Sequence, residues 1–305
     1  MKFGKLTDIS QVDFALPADP AGNAKVLSNL PASRETPVCY TGCTGWSMPD
    51  WIGRIYPKGT KSKDYLKYYS RQFNTIEFNT THYRIPSAEV VEKWYEESAE
   101  DFRFCPKVPQ SISHSRDLGL SGSNIHLFCD SILGLKEKLG CCFLQLPPYF
   151  GQDRLRLLEK FLQAWPAEIP LAMEARHESW FDSEQHSREF FNLLFRYGKS
   201  TVITDVAGRR DVLHMALTSG TAMVRFVGNN LDPTDFSRID TWAERIKQWF
   251  SQGLQEIFFF IHQAEDILVP DLAVYFYQKL ENDGHFYIKR PILLDEQEGE
   301  QMTLF

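Results

Sequence analysis

Residues 141–205 read CCFLQLPPYFGQDRLRLLEKFLQAWPAEIPLAMEARHESWFDSEQHSREFFNLLFRYGKSTVITD. Three apolar runs in this stretch, 141–146, 171–175 and 200–205, have strand length and are bounded by Gly, Pro or polar residues. Between them, 153–165 and 183–197 carry apolar residues at helical period. A strand that is followed by a helix and then by another strand needs a crossover, and a crossover makes the sheet parallel. The rhythm continues in both directions. Strands are expected at 38–43, 75–79, 102–108, 222–227 and 256–261. Helices are expected at 63–72, 88–98, 123–139, 241–252 and 270–282, with a short one near 212–217. Eight strands alternating with eight helices over about 250 residues predict a single (β/α)8 TIM-type barrel. A doubly wound open sheet is the alternative. It would carry a glycine-rich turn after the first strand, and Gly42-Cys43-Thr44-Gly45-Trp46 lacks the G-x-G-x-x-G spacing.

Outside the barrel, assigned to 38–293, lie an N-terminal arm at 1–37, containing Pro17, Pro20, Pro31 and Pro37, and a flexible, polar and acidic tail at 294–305. The 305 residues are 43% hydrophobic and 24% charged, which fits a globular chain rather than a disordered or fibrous one. The formal net charge of −7 argues against broad non-specific nucleic-acid binding, which runs on Lys and Arg meeting phosphates. No secretory signal or long apolar run is visible, so the expected address is the cytoplasm. None of the six cysteines (Cys39, Cys43, Cys105, Cys129, Cys141 and Cys142) sits in a C-x-x-C pair. Reduced core thiols are the reading, with a redox or metal role for Cys39 and Cys43 as its alternative.

In a TIM-type barrel the strand ends converge at the C-terminal face. Their polar residues therefore form the candidate site. Glu77 and Asn79 end the second strand, with His82 and Tyr83 behind them. Lys107 ends the third, with His114 in its loop, and Gln145 ends the fourth. Glu174, Arg176 and His177 end the fifth, followed by Trp180. Asp205, Arg225 and His262 end the last three. Glu77 and Glu174 are candidates for general acid and base, because that chemistry needs two carboxylates in unlike environments. His114, His177 and His262 are candidate proton relays. Lys107, Arg225 and Arg176 are candidates for holding an anion. A Schiff-base role for Lys107 is disfavoured, since carboxylates nearby are expected to raise its pKa. Trp46, Tyr83 and Trp180 are candidate stacking surfaces for a sugar or base, or a roof on the barrel. No cofactor motif is present. Glu77, His114, Glu174, His177, Asp205 and His262 include N and O ligands for a divalent metal, without an H-E-x-x-H signature. The competing reading of the whole set is a buried ion-pair network that is purely architectural.

The segments TGCTGWSMPDWIGRIYP (41–57), YYSRQFNTIEFNTTHYRIPS (68–87), FRFCPKVPQSISH (102–114), FLQLPP (143–148) and MEARHESWF (173–181) resemble the YecE-like family, domain of unknown function 72. Weaker echoes lie at AMVRFVG (222–228) and EIFFFIHQ (256–263). The resemblance implies a TIM-type barrel and implies no activity. Two departures stand out. Arg225-Phe226-Val227-Gly228 replaces the family's R-x-H-G, and Ile261-His262-Gln263 replaces its F-N-N.

The tail ends Gln301-Met302-Thr303-Leu304-Phe305. It resembles the bacterial sliding-clamp peptide Q-x-x-L-F, a glutamine amide and two apolar anchors on a polar tether. Three functions follow as expectations. The first is an enzyme with hydrolase- or isomerase-like acid/base chemistry on a small polar or anionic substrate, sugar- or nucleotide-derived. The second is a DNA replication or repair protein tethered through Gln301, Leu304 and Phe305. The third is a non-catalytic binding or scaffold protein.

Overall fold

The computed structural model describes residues 4–31, 36–281 and 284–294. The clamp-like peptide with Gln301, Leu304 and Phe305 lies outside them. The described residues form an α/β fold with mostly parallel strands. The eight principal strands are β1 (Val38–Gly42), β2 (Thr75–Phe78), β3 (Arg103–Pro106), β4 (Cys142–Gln145), β5 (Leu171–Glu174), β6 (Ser200–Asp205), β7 (Thr221–Val227) and β8 (Glu256–His262), and a short β9 (Tyr287–Ile288) flanks β1. All eight stand within two residues of the expected positions. Their runs are apolar on both faces, as strands covered on both sides must be.

The ladders run β4-β5-β6-β7-β8-β1-β9 and, separately, β2-β3, so they form two sheets rather than one closed ring. Pro106, which has no N–H to donate, cuts the β3 ladder short. Isolated hydrogen bonds, rather than ladders, join the two sheets. Glu77 N donates to Cys43 O at 2.9 Å, and Val108 N donates to Phe143 O at 2.9 Å. The first junction is possible because residue 42 is glycine: a Cβ there would lie 2.0 Å from the Thr75 carbonyl oxygen.

Strand parity sorts the side chains into layers. Tyr40, Cys105, Cys141, Phe143, Ala172, Val202, Met223, Phe258 and Phe260 form one buried apolar cluster. The alternate residues face the helices. In β8, for example, Phe259 stacks on Phe276 of the helix Val269–Leu280 with centroids 4.2 Å apart. The cysteines are buried and unpaired, and burial pushes the thiols of Cys39 and Cys43 up to about 12, where they behave as small hydrophobes.

The helices depart from expectation at three places. The helix expected at 123–139 is α-helical only over Asn124–Ile132 and continues as a 3-10 stretch, Leu133–Lys138, broken at Lys136. The helix expected at 241–252 begins earlier, at Pro233, and runs to Ser251. Asp232 caps it by accepting from Thr234 N, and Pro233 takes the first position. Its first turns read as polar in the sequence because Asp235 and Arg238 face inward as a buried pair. The short helix expected near 212–217 is absent. Only a single 3-10 turn, Arg210–Val212, forms between β6 and β7. The N-terminal arm covers that segment instead, with a helix of its own, α1 (Gly22–Ser28). Asn23 of α1 is buried. Its amide donates to Met215 O and its carbonyl accepts from Leu217 N, both at 2.8 Å. The arm is further held by Asp19, which accepts from Trp249 Nε1 at 2.9 Å, and by Gly4 O, which accepts from Gly208 N at 2.8 Å. Among the described residues no helix is long and apolar enough to cross a membrane.

Candidate functional site

Two residues further along the strands, on the same parity, six of the eight principal strands place charged or amide side chains or a histidine. Cys105 leads to Lys107, Phe143 to Gln145, Ala172 to Glu174 and Arg176, Met223 to Arg225, Phe260 to His262, and Thr75 to Glu77 and Asn79. These side chains meet in one network. Arg225 is its hub. Its Nε and Nη2 donate to both oxygens of Glu77 at 2.9 and 3.0 Å, a bidentate fork. Its Nη1 donates to Glu174 Oε2 at 3.0 Å. Glu174 also accepts from Arg176 Nε at 2.9 Å and from Gln145 Nε2 at 2.7 Å. Gln145 in turn accepts from Lys107 Nζ at 2.9 Å. On the other side Glu77 accepts from Asn79 Nδ2 at 3.0 Å and from His262 Nε2 at 2.8 Å. An ionised carboxylate can only accept, so that contact fixes the proton of His262 on Nε2.

Burial alone would raise both carboxyls. At Glu77 the charges of Arg225 and His262 outweigh it, and the group is held well below the usual carboxylate range. At Glu174, Arg176 and Arg225 bring the group down to about 2. Both stay ionised through neutral pH, so neither is matched to proton transfer there. Lys107 behaves differently. Burial, reinforced by the cation of Arg225, lowers it to about 8 against the pull of Glu77 and Glu174. The carboxylates do pull it upward, as expected, but burial and Arg225 outweigh them and the net shift is downward. Two histidines stand at the edge of the network. His82 and His114 face each other with ring centroids 5.4 Å apart. Burial lowers both, and Lys107 and Arg176 add to the effect.

Five other candidates are not brought to the network. Asp205 has the opposite parity and faces the helix layer. There it accepts from Trp242 Nε1 at 2.8 Å and from Arg238 Nε at 3.2 Å, and it pairs with Arg210. Trp46 stacks on Phe78 at 5.1 Å in the outer apolar layer. Trp180 is fully buried against Phe150 and donates to Phe150 O at 2.7 Å, a roof rather than a stacking surface. Tyr83 is 75% exposed. His177 accepts from Ser179 N at 3.1 Å in the loop after β5. Among the described residues no three His, Cys, Asp or Glu side chains converge as a metal site. The oxygens of Glu77 are already taken by Arg225, His262 and Asn79.

A cavity of about 150 Å³ opens beside Arg225, lined also by Lys5, Thr44, Arg176, Thr204, His262, Gln263 and Asp266. Strand-end reasoning misses Thr44, Thr204 and Lys5. The signal for Thr204 is parity: it lies two residues past Val202 of the apolar cluster. Lys5 has no such signal, because the arm's path is set by tertiary packing.

Residues 40–296 match the family model described as "Protein of unknown function DUF72". The chain belongs to the DUF72 family. It is similar to UPF0759 protein YecE of Escherichia coli (strain K12), 31% identical over 252 residues that span 77% of this chain and 89% of that protein. It is similar to UPF0759 protein YunF of Bacillus subtilis (strain 168), 32% identical over 150 residues, 47% of this chain and 52% of that one. Among solved structures, a DUF72 family protein from Thermotoga maritima MSB8 aligns with a TM-score of 0.61 at 26% identity, covering 80% of this chain and 100% of that one. A DUF72 family protein from Enterococcus faecalis V583 aligns at 0.65 and 21%, covering 80% of this chain and 98% of that one. The α/β fold is thus shared within the DUF72 family. Of the cavity's lining, Lys5 falls outside the matched residues.

Proposed function

We propose that this DUF72 chain is an enzyme performing acid/base chemistry, hydrolysis or isomerisation, on a small anionic substrate at the C-terminal rim of a TIM-type barrel. The observation that carries the reading is Lys107, a buried amine lowered to about 8 and linked through Gln145 and Glu174 to Arg225, which lines the cavity. A group that titrates near the working pH donates and accepts protons best, and a neutral amine is also a nucleophile toward carbonyl carbon. Glu77 and Glu174 are positioning residues: they fix Arg225, which with Arg176 faces the substrate. Two inter-sheet hydrogen bonds and the single-parity apolar cluster support a barrel. Selective isotope labelling of lysine and NMR titration of the full chain tests the proposal. The Lys107 resonance is expected to move with a midpoint near 8. A midpoint above about 10, the ordinary lysine value, would end it.

A second reading rests on the sequence at 301–305. It puts the chain at the sliding clamp, in DNA replication or repair. Titrating the clamp with the full chain and with one ending at Glu300 is expected to show binding for the first alone. Equal binding by both, or none by either, overturns it.

A further inference from the structure

Thr204 is the site residue to which the ion-pair network gives no role. It is register-paired with Arg225 across β6 and β7 and shares its face, while its neighbour Asp205 points the other way. It is 5% exposed, and its Oγ1 makes no hydrogen bond among the described residues. A buried hydroxyl without a partner is destabilising. Thr204 is one of the residues lining the cavity of about 150 Å³, with Arg225, Arg176, Lys5, Thr44 and Asp266.

We propose that this cavity is a subsite for a phosphate or phosphoryl group, with Thr204 Oγ1 donating one hydrogen bond and Lys5, from the N-terminal arm, supplying a cation at its mouth. The inference deepens the acid/base reading and rests on it. Charge supports it. Among the side chains lining the cavity, Lys5, Arg176 and Arg225 outnumber the carboxylate of Asp266, with Glu77 and Glu174 paired to Arg225. Asp266 is the one carboxylate lining the cavity, and burial raises it against the pull of His262 and Lys5. Size supports it too. The volume equals about five waters, enough for a tetrahedral oxyanion and too little for a nucleoside. Arg225 is clamped between two carboxylates, so little side-chain freedom is lost when an anion arrives.

The experiment is calorimetric titration of the full chain, wild type, Thr204→Val and Lys5→Ala, with inorganic phosphate and with glycerol 3-phosphate. Thr204→Val keeps the shape and removes the hydroxyl. It is expected to weaken binding about tenfold, as loss of one hydrogen bond to an anion does. Without ligand its thermal midpoint is expected to equal or exceed the wild type's. Lys5→Ala is expected to weaken binding several-fold with the midpoint unchanged. Tighter binding of the ester assigns the subsite to a substrate's phosphoryl group, and tighter binding of inorganic phosphate assigns it to the free anion. Absent binding, equal affinity in wild type and Thr204→Val, or a lowered midpoint in Thr204→Val without ligand overturns the subsite; unchanged affinity in Lys5→Ala overturns the role of the arm. The Lys107 titration reads the acid/base proposal separately, since it needs no ligand.

Discussion

Replacing Arg225 by methionine is expected to cost about 3–5 kcal/mol of folding stability at pH 7, the scale found when one partner of a buried ion pair is removed. The reason is what remains behind. Glu77 would keep only His262 and Asn79, and Glu174 only Arg176 and Gln145. Both carboxylates are buried, at 0% and 2% exposure, and water cannot take over the work of the guanidinium. Against a typical total of about 5–15 kcal/mol, this is a large share. Urea unfolding followed by circular dichroism measures it. A loss below about 1 kcal/mol would mean that the hub is not structural.

The same carboxylates set the acid limb of the stability curve. Folding lowers both, so each contributes stability above its unfolded pKa, and that contribution fades as pH falls toward the folded value. For Glu174 the window runs from the ordinary 4.5 down to about 2. In Arg225→Met both groups regain protons at higher pH, and this window is expected to move up.

Much of this site is legible in the amino-acid sequence. Alternation marks the strands, because apolar runs such as those of β4 and β8 need no tertiary information to be recognised. Strand-end logic marks Glu77, Lys107, Glu174 and Arg225, which do meet. The misses share a cause. Asp205 ends β6 and so looks like a site residue, yet one residue of register decides which layer a side chain enters. Thr204 has the parity of the site but a mild chemistry that draws no notice. Lys5 and Asn23 belong to an arm whose docking depends on a gap in the helix layer, which shows in the sequence only as a weak helix near 212–217. The sign at Lys107 is out of reach, because it turns on burial against charge and neither magnitude is written in the sequence.

That sign makes Lys107→Met the sharpest division between a working site and a purely architectural network. Lys107 titrates at about 8 in the fold and at 10.5 when unperturbed. The folded state therefore disfavours its charged form, by roughly 3 kcal/mol at about 1.36 kcal/mol per pH unit. A lowered lysine pKa reverses the carboxylate logic. The penalty is fully present below pH 8. It lifts as pH rises toward 10.5, because over that range the unfolded chain holds the proton and the folded one does not. Methionine removes the charge and fills similar space, but it leaves Gln145 Oε1 without its donor, at about 1–3 kcal/mol. The two terms nearly cancel. At pH 7 the variant is expected to be as stable as wild type or up to about 2 kcal/mol more stable, with the difference moving in favour of wild type at about pH 9.5. Urea midpoints at the two pH values measure this. Should Lys107→Met instead lose more than about 1 kcal/mol at pH 7, the lysine would be a counter-ion that the two glutamates require. The acid/base proposal would then lack its proton carrier. A lysine buried at a cost to folding, and linked through Gln145 and Glu174 to the Arg225 that lines the cavity, is what the acid/base proposal expects.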